Sequence, residues 1–149
     1  MECMMRTNIR KITENDRALL LTMMQEFYSS DAVSTNGSLE IFEADINECI
    51  SGSVYLEGYV IERDGETVGY GMLARSYSTE FGKPCVWIED LYLKDDCRGC
   101  GLGTQFIEYV KALYPNALLR LEVEAENDKA ISVYKRCGFE FLPYLEMKK

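Results

Sequence analysis

A chain of 149 residues that is 47% hydrophobic and 28% charged can bury one core without staples, and it is too ordinary in composition for a fibrous or disordered protein. Its net charge of −9 argues against non-specific nucleic-acid binding, and no stretch has the uncharged apolar length of a membrane span. The opening MECMMRTNIRK holds no apolar segment of a secretory signal, so one cytoplasmic domain covering residues 1–149 is expected.

Residues 7–12 alternate enough for a first strand. Thr13-x-x-Asp16 marks a helix start, and Leu20, Met23, Met24 and Phe27 form the apolar stripe of a helix over about 14–29. A polar loop over 30–38 leads to a second amphipathic helix carrying Leu39, Phe42, Ile46 and Cys49/Ile50, ended by Ser51-Gly52. Residues 54–62 and 67–78 read as strands joined by Arg63-Asp64-Gly65-Glu66, a hairpin signal. An apolar run over 86–93, with Glu89 and Asp90 in its middle, reads as a buried strand. Arg98-Gly99-Cys100-Gly101-Leu102-Gly103 follows, and then Leu102, Phe106, Tyr109/Val110 and Leu113 recur at helical spacing until Pro115. Residues 117–125 alternate as a strand, 128–137 form a short helix with Gly138 as its C-cap, and 139–142 and 144–148 make two closing strands around Pro143. The order βααβββαβαββ predicts an α/β domain with a mixed central sheet.

Strand, glycine turn, helix is an arrangement that binds anions. A helix N-terminus presents unpaired N–H groups and a partial positive charge, and glycines let a phosphate approach the backbone. The spacing is not the longer phosphate-binding loop that ends in Lys-Ser/Thr. It also lacks the third glycine of the dinucleotide fingerprint, having Phe106 in that region. Cys97-x-x-Cys100 invites a zinc or redox reading, but there is no His and no second such pair for a four-ligand site, and a redox pair would compete with the turn it sits in. The six cysteines, at 3, 49, 85, 97, 100 and 137, read as free thiols, and no metal is expected. With no His, proton transfer falls to Glu, Asp, Tyr, Cys, Lys or ordered water.

Downstream, Asn127-x-x-Ala130-x-x-x-Tyr134 precedes Cys137-Gly138-Phe139. The pair of motifs, Arg98-x-x-Gly101-x-Gly103 and this second one, resembles the two signatures of the GNAT superfamily of N-acetyltransferases, in the right order and over nearly the whole chain. The stretch IEDLYLKDDCRGCGLG looks like the diamine and polyamine acetyltransferases within it. The resemblance implies a mixed, mostly antiparallel sheet of about seven strands flanked by four helices, acetyl-CoA as acyl donor, a small-molecule amine as acceptor, and a homodimer among the implied assemblies. It assigns the donor's pyrophosphate to the N–H groups of Gly99, Cys100, Gly101, Leu102, Gly103 and Thr104, with Arg98 opening the loop. It further implies a splay of the strand near residues 90–93, freeing backbone groups of Leu91, Tyr92 and Leu93 for the pantetheine arm. Asn127 and Ala130 would contact the same arm or cap the helix, and Lys129 would lie near the phosphates.

Acetyl transfer needs a neutral amine, a polarised thioester carbonyl and a proton for the departing thiolate. By resemblance Tyr134 is the acid and Glu89 the base. Strand alternation puts Glu89 and Asp90 on opposite faces, so only one can face the reaction centre, and Asp90 is the alternative base. A structural partner such as Arg98 or a backbone amide is the bland role for either. The amine site of the resembled fold would involve Phe27, Tyr28, Asp31, Tyr55 and Tyr144. Between Glu14 and Glu57 nine acids stand against one base, Arg17, which suits a cationic acceptor such as a polyamine, an amino sugar or a protein amino group, or else merely solvates that face. A non-catalytic acyl-CoA-binding domain and a thiol redox protein are the other classes this sequence allows.

Overall fold

Asp64 and Gly65 both adopt positive φ, at 51° and 82°, the geometry of a two-residue hairpin turn whose twist matches its strands. In this computed structural model, which describes residues 6–149, that turn joins β2 (Leu56–Arg63) to β3 (Glu66–Ser78). The reading of Cys3 and part of that of the opening segment fall on residues 1–5, outside the described ones. The remaining elements are β1 (Thr7–Lys11), α1 (Arg17–Tyr28), α2 (Leu39–Ile50), β4 (Lys83–Leu93), α3 (Leu102–Leu113), β5 (Leu118–Leu121) and α4 (Asp128–Arg136). The sheet order is β1-β2-β3-β4-β5. Its first three pairings are antiparallel and β4–β5 is parallel, because α3 carries the chain back across the sheet.

Each face of the sheet is apolar and must be covered. On one side Tyr59, Ile61, Val68, Leu73, Val86 and Ile88 pack with Leu102, Phe106, Ile107 and Val110 of α3. On the other, Val60, Tyr70, Met72 and Tyr92 pack with Leu20, Met23 and Met24 of α1 and Phe42 and Ile46 of α2. Gly71 leaves room for the Phe106 ring of α3 against the sheet: a Cβ there would stand 2.2 Å from that ring. No helix among the described residues is long and apolar enough to cross a membrane.

Among the described residues five strands form rather than seven. Residues 139–142 and 144–148, expected as closing strands, are irregular, and β5 contracts to four residues. Strand pairing is specified where one face is buried. Every residue from 140 to 149 is exposed, Leu145 and Met147 almost fully, so alternation alone had no buried face to hold a register, and Pro143 removes a donor.

Candidate active site

β4 changes phase in its middle. Leu73 pairs with Ile88 and Met72 with Asp90, so Glu89 is an extra residue opposite no partner, a β-bulge. Before the bulge Val86 and Ile88 belong to the α3 core; after it Leu91 and Leu93 pack against that core while Tyr92 joins the α1–α2 core. Pairing with β5 ends at Ile88↔Leu121. From residue 89 to 93 the β5-facing edge therefore has no strand partner, and the sheet opens one residue earlier than the expected 90–93.

The two acids meet different surroundings. Asp90 is 4% exposed and accepts hydrogen bonds on both oxygens, from the Tyr28 hydroxyl at 3.0 Å and the Tyr70 hydroxyl at 2.8 Å. Its partners are two tyrosines, not Arg98 or a backbone amide. Burial pushes its carboxyl above the ordinary range, and the two hydroxyls oppose that rise. Glu89 reaches solvent, yet partial desolvation, with the charges of Asp90 and Glu146, also raises its pKa.

Two cavities meet at this bulge. A cleft of about 970 Å³ holds Phe27, Trp87, Arg120, Glu122, Tyr134 and Tyr144. A smaller cavity of about 570 Å³ is lined by Ile41, Asp45 and Glu48 of α2 with Tyr55, Leu56, Met72, Ala74 and Asp90, and by no basic residue. Tyr28 and Glu89 are the two residues common to both. Asp31 lines neither and is exposed on the turn after α1. Tyr144 donates its hydroxyl to Glu80.

Asp45 and Glu48 stand among the nine acids of 14–57 but are not named as site residues from the sequence. Their signal is the stripe Ile41, Asp45, Glu48, at helical spacing beside the apolar stripe Phe42, Ile46, Cys49. Burial and the charges of Asp90 and Glu89 push Asp45 up to about 6. Two acids nearer the expected acceptor region are spoken for: Glu26 accepts from the Tyr92 hydroxyl, and Glu57 from the hydroxyls of Tyr59 and Tyr114.

Glu122, pushed up to about 7 by the neighbouring Glu146 carboxyl together with desolvation, adds to this set of carboxyls that hold protons more tightly folded than unfolded. Between about pH 4 and these values the native state binds more protons, so stability falls as pH rises through the window. The melting temperature is therefore expected to be higher at about pH 5 than at about pH 8; a scan that is flat, or that rises with pH, overturns this. At lower pH the trend reverses as Asp16, held below its usual range by Arg10, gains its proton.

The glycine turn is open. Gly99 and Gly101 have φ of 78° and 80°, where a side chain would be strained although nothing lies within 4 Å to obstruct it. Gln105 is the first residue after the turn whose N–H reaches a carbonyl, that of Gly101 at 3.0 Å. The N–H groups of Gly99, Cys100, Gly101, Leu102, Gly103 and Thr104 have no protein acceptor among the described residues. Such a row of donors at a helix N-terminus fits a diphosphate. Arg98 braces the turn: Nε donates to the Leu93 carbonyl at 3.0 Å, a terminal nitrogen meets Asp95 at 2.8 Å, and the guanidinium lies 5.7 Å from the Tyr92 ring centre. The Leu93 carbonyl is thereby engaged, whereas the sequence left it free. Cys97 is buried while Cys100 is exposed.

Tyr134 projects from α4 into the larger cleft, its ring edge-on to Phe139 at 6.0 Å. Burial raises its pKa, so the phenol keeps its proton at neutral pH. Asn127 caps α4, its side-chain oxygen accepting the Ala130 N–H at 3.3 Å, and Lys129 is exposed.

The acetyltransferase (GNAT) family model matches residues 21–139. The chain belongs to the GNAT family. As a GNAT N-acetyltransferase it uses acetyl-CoA as acyl donor. It is 27% identical over 143 residues to the spermine/spermidine N(1)-acetyltransferase of Bacillus subtilis (strain 168), covering 92% of this chain and 90% of that protein. It is 30% identical over 152 residues to the thialysine N-epsilon-acetyltransferase of Mus musculus, covering 91% and 85%. The structure of AAC(6')-Iy in complex with a bisubstrate analogue, CoA-S-monomethyl-acetylneamine, shares the fold with a TM-score of 0.79 at 16% identity over 97% of each chain.

Proposed function

We propose that this GNAT enzyme acetylates a primary amine of a small polycationic molecule such as a polyamine, with Glu89 as base and Tyr134 as acid, within a single domain. The observation that carries the reading is the position of Glu89, which lines both an acidic cavity without a basic residue and the cleft that holds Tyr134. The named relatives, acting on spermine, spermidine and thialysine, support it.

Bound acetyl-CoA supplies an activated thioester carbonyl and a thiolate leaving group. The row of N–H groups over 99–104 would hold its diphosphate, with Arg98 keeping the turn in shape and Lys129 near the phosphates. The unpaired edge over 89–93 offers Leu91 and Tyr92 backbone groups to the pantetheine arm, and an N–H there would polarise the carbonyl without reorganising. Glu89 takes the proton of the incoming ammonium, directly or through water. Its raised pKa suits that work, because a base titrating nearer the operating pH is the more effective. Tyr134, neutral and desolvated, protonates the departing thiolate. Asp45 and Glu48 attract the remaining positive charge of the acceptor, and the acid-rich segment 14–57 steers cations toward this side.

An amine panel assayed for coenzyme A release tests the reading. Spermidine and spermine are expected to outperform neutral-bodied monoamines of similar length. Asp45→Asn is expected to raise the polyamine KM about tenfold with kcat little changed, the mark of lost binding common to ground and transition states. Equal use of monoamine and polyamine, or an unchanged KM, overturns the cationic acceptor.

A further inference from the structure

Asp90 is adjacent to the proposed base, yet both its oxygens are committed to tyrosines, so it is poorly placed to take a proton from an amine. Its surroundings suggest another task. A bulged residue has no ladder partner, and its direction depends on how its neighbours are anchored. Ile88, before the bulge, is anchored from two sides, by Leu73 and by Leu121. After the bulge the β5 side is gone. What holds the Asp90 side chain is the pair of hydroxyls, one from the last residue of α1 and one from the interior of β3.

We propose that Tyr28 and Tyr70 are positioning residues for acetyl transfer: by gripping the two oxygens of Asp90 they fix the bulge so that the Glu89 carboxylate stands at the wall between the two cavities. Tyr28 has a double part, since its own side chain forms that wall with Glu89. Hydrogen bonds to an ionised acceptor are about twice as strong as neutral ones, and this acceptor is buried, so the grip is stiff. The inference rests on the reading of Glu89 as base.

Asp90 also acts through its charge. Tyr28 of α1, Asp45 of α2, Asp90 of β4, Glu122 beyond β5 and Glu146 of the C-terminal segment all face Glu89. The basic Arg120 lines the same cleft, stacked at 4.6 Å on Trp87. Desolvation raises the Glu89 pKa most, and the charges of Asp90 first and Glu146 second add to it.

Steady-state kinetics across pH on the best amine of the panel test this, with Glu89→Gln as the reference variant. Tyr28→Phe and Tyr70→Phe are each expected to lower kcat about tenfold, while KM for acetyl-CoA stays within about twofold, because a small misplacement of a reacting group is costly and the donor cradle is untouched. Asp90→Asn can keep a contact to each tyrosine, one accepted by its oxygen and one donated by its NH2 to a phenol oxygen, but loses the charge. Its acidic limb in kcat/KM is expected to move down by about half a pH unit, a shift that a purely structural role does not produce. If Glu89→Gln is impaired while the tyrosine variants keep wild-type kcat and Asp90→Asn keeps the wild-type limb, the positioning inference is wrong and the base stands. If Glu89→Gln turns over at the wild-type rate, the base reading fails and this inference with it. Should the fully buried Tyr70→Phe not fold, Tyr28→Phe at the half-buried position decides.

Discussion

Tyr134→Phe is expected to lower kcat by about 10²- to 10⁴-fold, the usual span for a positioned general acid. KM for acetyl-CoA should stay within about twofold, because the proposed diphosphate cradle lies at the N-terminus of α3 and not on α4. The substitution removes one oxygen and keeps the ring, so the packing of Tyr134 against Phe139 and the α3 core survives. The loss is then chemical. A thiolate leaving without a proton is the poorer path, and burial keeps the Tyr134 phenol protonated well above neutral pH. The alkaline limb of the wild-type pH profile should disappear in the variant. A variant that retains kcat to within about threefold would show that the thiolate needs no acid from this residue.

Gly103→Glu is the second large effect, and it separates binding from folding. Gly103 lies in the first turn of α3, and the nearest atom to a Cβ there is a Leu93 methyl at 3.9 Å, an ordinary contact. The fold therefore has room for a side chain. An acidic residue at a helix N-terminus is stabilising by about 0.3–1 kcal/mol, and leaving glycine in a helix adds to the gain. The same carboxylate would stand among the N–H groups proposed to hold a diphosphate. Repulsion at that range is expected to weaken coenzyme A binding by about 10- to 100-fold, less at high salt. Calorimetric titration with coenzyme A and a thermal melt on one sample decide it: a higher or equal melting temperature with weaker binding is the expected pair. Unchanged affinity would remove the pyrophosphate from this turn.

Much of this architecture is legible in the residues because local periodicity and turn chemistry agree. The stripe Leu20, Met23, Met24 needs a sheet to cover, Asp64-Gly65 needs a hairpin, and Gly99 and Gly101 need positive φ. The C-terminal segment shows the limit of such reasoning. Its alternation states a preference for extended backbone, but pairing also requires a buried face, and residues 140–149 have none. The bulge at Glu89 is invisible for another reason. It is a count of two residues against one across neighbouring strands, so only the pairing of β3 with β4 reveals it. Adjacent acids in an apolar run signalled that something unusual happens there, without saying that one would be solvated and the other clasped. The clasp joins residues 62 and 20 positions apart, a contact that no local pattern encodes. The smaller cavity was missed because the helical stripe sought on α2 was apolar, while its neighbour carries Asp45 and Glu48.

The shift of phase within β4 has a consequence for how such an enzyme can be altered. The strand hands Leu91 and Leu93 to the side of α3 and Asp90 and Tyr92 to the side of α1 and α2. On the proposed reading, the two substrates would be served by separate helices hung on opposite surfaces of one β-strand. Redesign of the α2 surface would then exchange one amine for another while the proposed coenzyme mooring on α3 is left alone, so the two selectivities would be separately tunable.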